Sequence, residues 1–126
     1  MASNSLFMVF TNAAAGREAA FNEWYDKTHV ADVLAVPGVV AAQRYAVARV
    51  ETPQVEGAPS PPPPAHGYLT VYELARDPNE VMADFVDRVT SGAMKLSDAM
   101  DFASVGLSVW RPLGDRKLAP TRRGDA

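Results

Sequence analysis

The sequence predicts a single α+β domain whose elements follow the order strand, helix, strand, strand, helix, strand. Four short segments are rich in β-branched, aromatic and other apolar residues, which is typical of strands. Two longer segments repeat apolar residues at spacings of three and four, which is typical of amphipathic helices. The chain has 126 residues, the length of one domain. We expect that domain to span residues 1–112, followed by a polar C-terminal tail at 113–126.

The composition narrows the class of protein. Hydrophobic residues make up 48% of the chain, charged residues make up 21%, and the net charge is −3. A weak negative charge with scattered basic residues indicates no nucleic-acid partner. No apolar run is long enough to span a membrane, and the N-terminal segment lacks the basic region of a secretory signal. Cysteine is absent, which excludes disulfides and thiolate sites. The sequence therefore predicts a soluble cytoplasmic protein that does not bind membranes.

The first half of the chain predicts a strand, a helix and a second strand. Ser5 to Thr11 is a continuous apolar run, as expected of a buried strand. After a turn at residues 12–16, a helix is predicted by apolar side chains at helical spacing, namely Ala20, Phe21, Trp24, Tyr25 and Thr28. Pro37-Gly38 ends this segment. The β-branched start of residues 39–50 predicts the second strand.

The second half predicts a long loop, a strand, a helix and a last strand. Residues 51–67 are proline-rich, and four consecutive prolines at 61–64 cannot join the interior of a sheet. We interpret this segment as a connecting loop, with peptide docking as the alternative. Tyr68 to Leu74 is the third strand, and residues 102–112 are the fourth. Between them, a helix that starts near Pro78 is predicted by the stripe Val81, Met82, Phe85, Val86 and Val89.

This order of elements is that of the ferredoxin-like βαββαβ fold, a four-stranded antiparallel sheet with two helices on one face. Residues 6–10 are all apolar, so the first strand is apolar on both faces. The helices cover one face of the sheet, and the other would remain an exposed apolar patch. We therefore expect a homodimer that forms through the open sheet face.

The strongest candidate for chemistry is His29. The ordinary pKa of histidine, about 6.5, lies near neutrality, so the side chain can both accept and donate a proton. Asp32 follows within one helical turn and could orient the imidazole. Tyr25 precedes His29 by four residues and could hydrogen-bond a substrate oxygen. Together they would support proton abstraction beside a carbonyl or phenol.

A purely structural interpretation competes with this one. His29 could cap a second short helical turn, with Asp32 reaching back to its amide as in a capping box. Thr28 could act as the cap instead.

Five further side chains are candidates for substrate binding. Trp24 and Phe21 fall on the apolar stripe of the first helix, where a core position is the alternative to a pocket wall. Tyr72 and Trp110 are strand aromatics that could line a cavity. Asn12 ends the first strand and could donate to a bound oxygen, with a turn-forming role as the alternative.

Arg44 is the sixth candidate for substrate binding. It lies in the middle of the second strand on an apolar background, and a buried arginine needs a partner. We expect Glu73 on the neighbouring strand to be that partner, with a substrate carboxylate as the alternative.

No cofactor is predicted. The chain has two histidines far apart in sequence and no cysteine, which disfavours a preformed zinc or iron site. It also lacks a phosphate-binding loop and a dinucleotide fingerprint.

The segment GREAAFNEWYDKTHVADVLAVPGVVAAQRY, with FTN before it and YLTVYEL after the long loop, resembles the EthD-like family of the dimeric α+β barrel superfamily. The resemblance covers residues 5–112 and rests on the spacing of Trp24-Tyr25, His29 and Pro37-Gly38. Ala31 stands where relatives often carry proline. The resemblance implies a homodimeric barrel with a small-molecule cavity between sheet and helices in each subunit. Such relatives include cyclases, isomerases, lyases and cofactor-independent monooxygenases, and some bind haem.

The sequence and this resemblance together predict a cofactor-independent enzyme. His29 would act as general acid and base on a small, mostly apolar aromatic or polyketide-like substrate. We expect lyase or dehydratase, cyclase or isomerase chemistry. The alternatives are a cofactor-independent monooxygenase of the same fold and a small-molecule-binding protein without chemistry.

Overall fold

A four-stranded antiparallel sheet carries helices on one face. The computed structural model describes residues 4–51 and 53–121. The strands lie in the spatial order β2-β3-β1-β4, and every neighbouring pair is antiparallel. Their bounds are β1 (Ser5–Thr11), β2 (Val39–Ala46), β3 (Tyr68–Leu74) and β4 (Gly106–Trp110). The predicted ferredoxin-like fold is confirmed.

The connection from β1 to β2 is a single helical segment with a wide turn inside it. It consists of α1 (Glu18–Trp24), a π-helical turn (Tyr25–His29) and α2 (Val30–Leu34). The amide of Val30 donates to the carbonyl oxygen of Tyr25, a bond five residues long that marks a π-turn. Such turns often occur at functional sites.

The connection from β3 to β4 contains the second helix, α3 (Pro78–Thr90). Asp77 caps its start by accepting a bond of 2.9 Å from the Asn79 amide, and Pro78 occupies a first-turn position that needs no amide hydrogen. A short 3₁₀ turn at Phe102–Ser104 precedes β4.

Two strands are shorter than predicted. The last pair between β2 and β3 is Ala46 with Tyr68, so residues 47–50 have no strand to pair with. β4 starts at Gly106 because the preceding residues form the 3₁₀ turn, which Asp101 caps through the Ala103 amide at 3.2 Å. Residues 111–121 form neither helix nor strand, and residues 122–126 of the predicted tail lie outside the described residues.

The two faces of the sheet have different surroundings. Phe7 and Val9 of β1 and Tyr72 and Leu74 of β3 are buried beneath the helices. On the opposite, open face, the side chains of β1 and β3 are apolar and only partly covered, namely Leu6, Met8, Phe10, Leu69 and Val71. Two aromatic side chains flank them on this face, Tyr45 at 51% exposure and Trp110 at 56%. The predicted apolar character of both sheet faces is therefore confirmed.

Gly38 makes the turn from the first helical segment into β2. Its φ is +96°, and a Cβ at this position would lie 2.6 Å from the Cβ of Arg76. Both the backbone conformation and the close approach exclude a larger side chain. The Pro37-Gly38 stop in the sequence thus brings the start of α3 close to the start of β2.

The expected pairing of Arg44 with Glu73 is wrong. Arg44 stands opposite Thr70 in the register of β2 and β3, whereas Glu73 stands opposite Ala41. Successive side chains alternate between faces, so Arg44 points to the helix side and Glu73 to the open side. Sequence placed the two on neighbouring strands but did not give the register.

Within residues 4–51 and 53–121, no helix has both the length and the hydropathy needed to cross a membrane. The same residues contain no group of three or more histidine, aspartate or glutamate side chains arranged to hold a metal ion.

Candidate functional site

A small apolar cavity opens between the π-turn, α3 and β4. Its volume is about 180 Å³. Nine of its lining residues are apolar: Val9, Phe85, Val86, Val89, Leu96, Met100, Phe102, Val105 and Leu107. The other two are Tyr25 and His29, both from the π-turn. The polar chemistry of this cavity therefore comes from one short stretch of the chain.

His29 is an unpaired imidazole in this apolar environment. It is 5% exposed, and its Nδ1 has no hydrogen-bond partner among the described residues. Burial lowers the pKa of His29 to about 4, because the charged form loses its hydration. The ring is therefore neutral at pH 7, with one nitrogen, Nδ1, that no described residue hydrogen-bonds.

The π-turn sets the orientation of the His29 ring. Side chains on a helix lean towards its N-terminus, and the wider turn brings residues five apart onto one face. The His29 ring accordingly stacks on Trp24, with centroids 4.5 Å apart and planes 22° apart. It also meets Tyr25 edge to face at 5.0 Å. Two aromatic rings thus hold the imidazole at the cavity.

The capping interpretation of His29 is wrong. Its backbone has φ −68° and ψ −44°, the conformation of a residue inside a helix, and its side chain makes no cap bond. Thr28 lies within the π-turn and caps nothing either. The helical segment does not restart at His29, so no cap is needed there.

Asp32 is not brought to the imidazole. It is half-buried in α2, and no hydrogen bond or ion pair joins it to His29 in residues 4–51 and 53–121. The ring of His29 leans towards α1, one turn away from Asp32. An orienting role for this carboxylate has no contact to support it.

Tyr25 contributes its ring rather than its hydroxyl. The residue is fully buried, and burial raises the pKa of its hydroxyl, an effect that Thr70 and Tyr72 partly offset. These polar neighbours approach the Tyr25 hydroxyl, yet the atoms do not have the geometry of a directed hydrogen bond. The hydroxyl thus lies near Thr70 and Tyr72 of β3.

Arg44 lies beneath the ring of Tyr25. Its guanidinium carbon is 4.4 Å from the centre of that ring. The same group donates to Asp26 Oδ1 at 2.8 Å and to Asn22 Oδ1 at 2.9 Å. Arg44 therefore contacts the helical segment and does not line the cavity.

Four other sequence candidates lie away from the cavity lining. Phe21 is fully buried and packs on Tyr25 with ring centres 5.4 Å apart, as the core interpretation expected. Trp24 stacks on the His29 imidazole without lining the cavity. Tyr72 is buried in the sheet, where burial raises the pKa of its hydroxyl. Trp110 points to the open face, where its Nε1 donates to Ser108 Oγ at 2.8 Å.

Asn12 has a structural role. Its amide nitrogen donates to Ala65 O and Ser104 Oγ, both at 3.1 Å. Its Oδ1 accepts from the Gly67 amide at 2.9 Å. These bonds join the end of the proline-rich loop to the 3₁₀ turn that precedes β4, in line with the turn-forming alternative.

Sequence reasoning missed the apolar wall of the cavity. Phe85, Val86 and Val89 come from α3, whose apolar stripe served only to predict the helix. Leu96 and Phe102 come from the segment between α3 and β4. The signal in the sequence was the excess of apolar side chains in α3 and in the segment before β4. In the structure, two of these side chains, Val86 and Phe102, remain 51% and 52% exposed.

A larger depression of about 370 Å³ lies at the end of the open sheet face. Phe10, Tyr45, Leu69 and His66 line part of it. The His66 Nε2 donates to Ser104 O at 2.6 Å, so this imidazole is already engaged. We therefore place the candidate site beside His29.

Comparison with known proteins identifies the fold. No protein-family model matches the chain, and no curated protein is significantly similar to it. A protein of Shewanella loihica named as a candidate monooxygenase superposes with a TM-score of 0.59 at 11% identity, covering 91% of this chain and 99% of that one. The haem degrader MhuD of Mycobacterium tuberculosis, with two haems bound in its active site, gives 0.54 at 14% identity, covering 90% and 99%.

An EthD-family protein of Bacillus halodurans is also among the matched structures, with a TM-score of 0.47 at 14% identity over 86% of this chain and 99% of that one. Identities this low establish a fold and not an activity. At that level the resemblance expected from the sequence is confirmed, since the chain has the ferredoxin-like fold. Its assignment to the EthD-like family of the dimeric α+β barrel superfamily stays a prediction.

Proposed function

We propose that the protein is an enzyme that binds a compact, mostly apolar molecule beside His29 and uses the neutral imidazole as a general base. The observation that carries this proposal is the unpaired, 5% exposed imidazole in an otherwise apolar cavity. A buried polar group without a partner costs about 1–3 kcal/mol. A ligand that supplies the missing hydrogen bond would recover that free energy.

The size and lining of the cavity limit the substrate. Its volume of about 180 Å³ is below the range of roughly 300–1,000 Å³ that is usual for drug-sized ligands. One or two fused rings suit this space better than an extended polyketide. The aliphatic and aromatic lining favours a ring body, and the single imidazole favours one acidic O–H or C–H directed at it.

Such a site supports proton transfer within the substrate. The imidazole takes a proton from a phenol or from a carbon beside a carbonyl, and the substrate retains the electron pair as its anion. The face of Trp24, on which the ring stacks, offsets part of the cost of burying the imidazolium. Return of the proton to another substrate atom completes an isomerisation, and loss of a leaving group with the electron pair completes an elimination.

A porphyrin does not fit this cavity. The space is small, and among the described residues that line it only His29 carries a nitrogen ligand for iron. MhuD binds haem, but its similarity to this chain is in fold alone. We therefore propose a reaction that needs no cofactor.

We also propose that two copies pair through the open sheet face. The aromatic residues Tyr45 and Trp110 are more than half exposed there, beside the apolar side chains of β1 and β3. Burying this surface against a second copy removes it from water. The absence of cysteine supports a cytoplasmic location.

The test of function is turnover of one- and two-ring phenols and cyclic ketones by the native protein and by the His29→Ala variant. We expect a loss of roughly 10²–10⁴-fold in kcat/KM, the usual contribution of a general base. The His66→Gln variant, which changes the other histidine, serves as the matched control and should keep its activity. A folded His29→Ala protein that turns over substrate like the native protein would contradict the proposal.

The same assay separates the two alternatives. Oxygen consumption matched to substrate loss would indicate a cofactor-independent monooxygenase. Binding of these compounds without conversion would indicate a protein without chemistry.

A further inference from the structure

We propose that Arg44 is a positioning residue for His29, acting through a clamp on the π-turn. This inference rests on the proposed function of the cavity and adds a residue that does not line it. Arg44 reaches the helical segment from β2, on the far side of Tyr25. The clamp consists of Arg44 with its two acceptors, Asn22 and Asp26.

The contacts of Arg44 join one turn of helix to the sheet. Asn22 lies in α1 and Asp26 in the π-turn, four residues apart, and one guanidinium donates to both. The Arg44 side chain is 17% exposed and that of Asp26 is 63% exposed, so water screens the bond to Asp26 more than the part-buried bond to Asn22. The clamp therefore fixes the helical segment to β2 at the point where α1 passes into the π-turn.

The clamp also holds the ring of Tyr25. The guanidinium lies on one side of that ring, and the edge-to-face contact with His29 lies on another. The Tyr25 hydroxyl has no directed hydrogen bond to hold it in place. The orientation of Tyr25 thus depends on packing, to which Arg44 contributes together with Phe21 and Trp24. A movement of Tyr25 would reach the imidazole that it contacts.

A lysine at position 44 cannot reproduce the contacts that the guanidinium makes with two acceptors and a ring. An ammonium carries the same charge but lacks the planar fork that donates to two acceptors and lies against a ring. Arg44→Lys therefore keeps the electrostatic effect and removes the positioning effect. The double change Asn22→Ala with Asp26→Ala removes both acceptors and leaves the arginine.

The experiment follows the titration of the His29 ring by NMR in histidine-labelled protein, with His66→Gln to assign the two signals. Loosening the clamp admits water to His29 and weakens the desolvation that keeps its ring neutral. We expect the midpoint of the His29 titration to rise by about one pKa unit or more in both variants, towards the ordinary histidine value.

The direction in which the midpoint of the His29 titration moves distinguishes a positioning role of Arg44 from an effect of its charge alone. If Arg44 acted only through its charge, Arg44→Lys would titrate like the native protein. Loss of the Asp26 carboxylate would then lower the midpoint rather than raise it. The matched control is Arg76→Lys, which changes an arginine that bonds Glu80 and Asp84 away from the cavity, and its His29 titration should match that of the native protein.

Unchanged titration of His29 in either clamp variant would overturn the inference. The readout does not depend on turnover, so it stays distinct from the test of function. A native protein without activity whose clamp variants still shift His29 would refute the proposed function alone. Loss of activity in His29→Ala with unshifted clamp variants would refute the clamp alone.

Discussion

At the scale of single residues, His29 shows how burial changes the chemistry that a sequence indicates. The ordinary pKa of histidine indicates a group that titrates near neutrality. Contact with Trp24 and Tyr25 removes the ring from water, and its pKa falls to about 4. The group remains a base, but it is a weaker one and is neutral in the resting protein at pH 7.

This depressed pKa makes the stability of the protein depend on pH. Between about pH 6.5 and pH 4 the unfolded chain binds a proton at position 29 that the native protein does not bind. The free energy of unfolding therefore falls as the pH falls through this window, and the contribution is fully present above it. The loss is on the order of 3 kcal/mol.

Urea unfolding at several pH values measures this effect. His29→Gln should lose less stability than the native protein between pH 6.5 and pH 4, because it lacks the titrating ring. His66→Gln should keep the native pH dependence. Parallel pH curves for the native and His29→Gln proteins would contradict the buried, neutral state of His29.

At the scale of elements, two local backbone features place the site. The π-turn brings Trp24 and His29 together, and the turn at Gly38 returns the chain to the sheet. At Gly38 a side chain would meet both an unfavourable φ and the Cβ of Arg76. This glycine is therefore required by the packing of α3 against the start of β2.

We expect Gly38→Ala to lower the free energy of unfolding by about 2–4 kcal/mol, from backbone strain and overpacking together. Gly92→Ala is the matched control, since Gly92 has φ +83° but nothing within 4 Å of an added Cβ. It should cost only about 1 kcal/mol, from the backbone alone. Equal losses in the two variants, measured by urea unfolding, would show that the contact with Arg76 contributes nothing.

At the scale of the whole molecule, the sheet separates two apolar regions. One lies under the helices and includes the cavity, and the other is the open face. An exposed apolar face made of several neighbouring side chains usually marks an interface. The open face also adjoins the larger depression near Tyr45 and His66, which a second copy would cover.

We expect the native protein to be a dimer in solution and Trp110→Glu to be largely monomeric, because a buried carboxylate without a partner is strongly unfavourable. Light scattering coupled to size-exclusion chromatography measures the mass. Val55→Glu, which places the same charge at a residue of the proline-rich loop that is 69% exposed, should remain dimeric. A monomeric native protein, or a dimeric Trp110→Glu, would contradict pairing through this face.

The sequence by itself determined the order of elements and the fold, and it indicated the stretch around His29 as the candidate for chemistry. These follow from local patterns, since strand runs, helical stripes and the Pro37-Gly38 stop are all read along the chain. Tyr25 and His29 both line the cavity, because they lie four residues apart on one helical segment, and their part in catalysis stays a prediction.

Only the tertiary structure decided which side chains meet across elements. The register of β2 against β3 turned Arg44 towards Asp26 instead of Glu73. The π-turn, which no pattern of helical spacing reveals, stacked Trp24 on His29. Asp32 forms no hydrogen bond or ion pair with His29 in the described part of the chain. The cavity wall came from α3 and from the segment before β4, and burial set the pKa of the imidazole. Register, helix widening and desolvation depend on contacts between distant parts of the chain, so they arise only when the chain has folded.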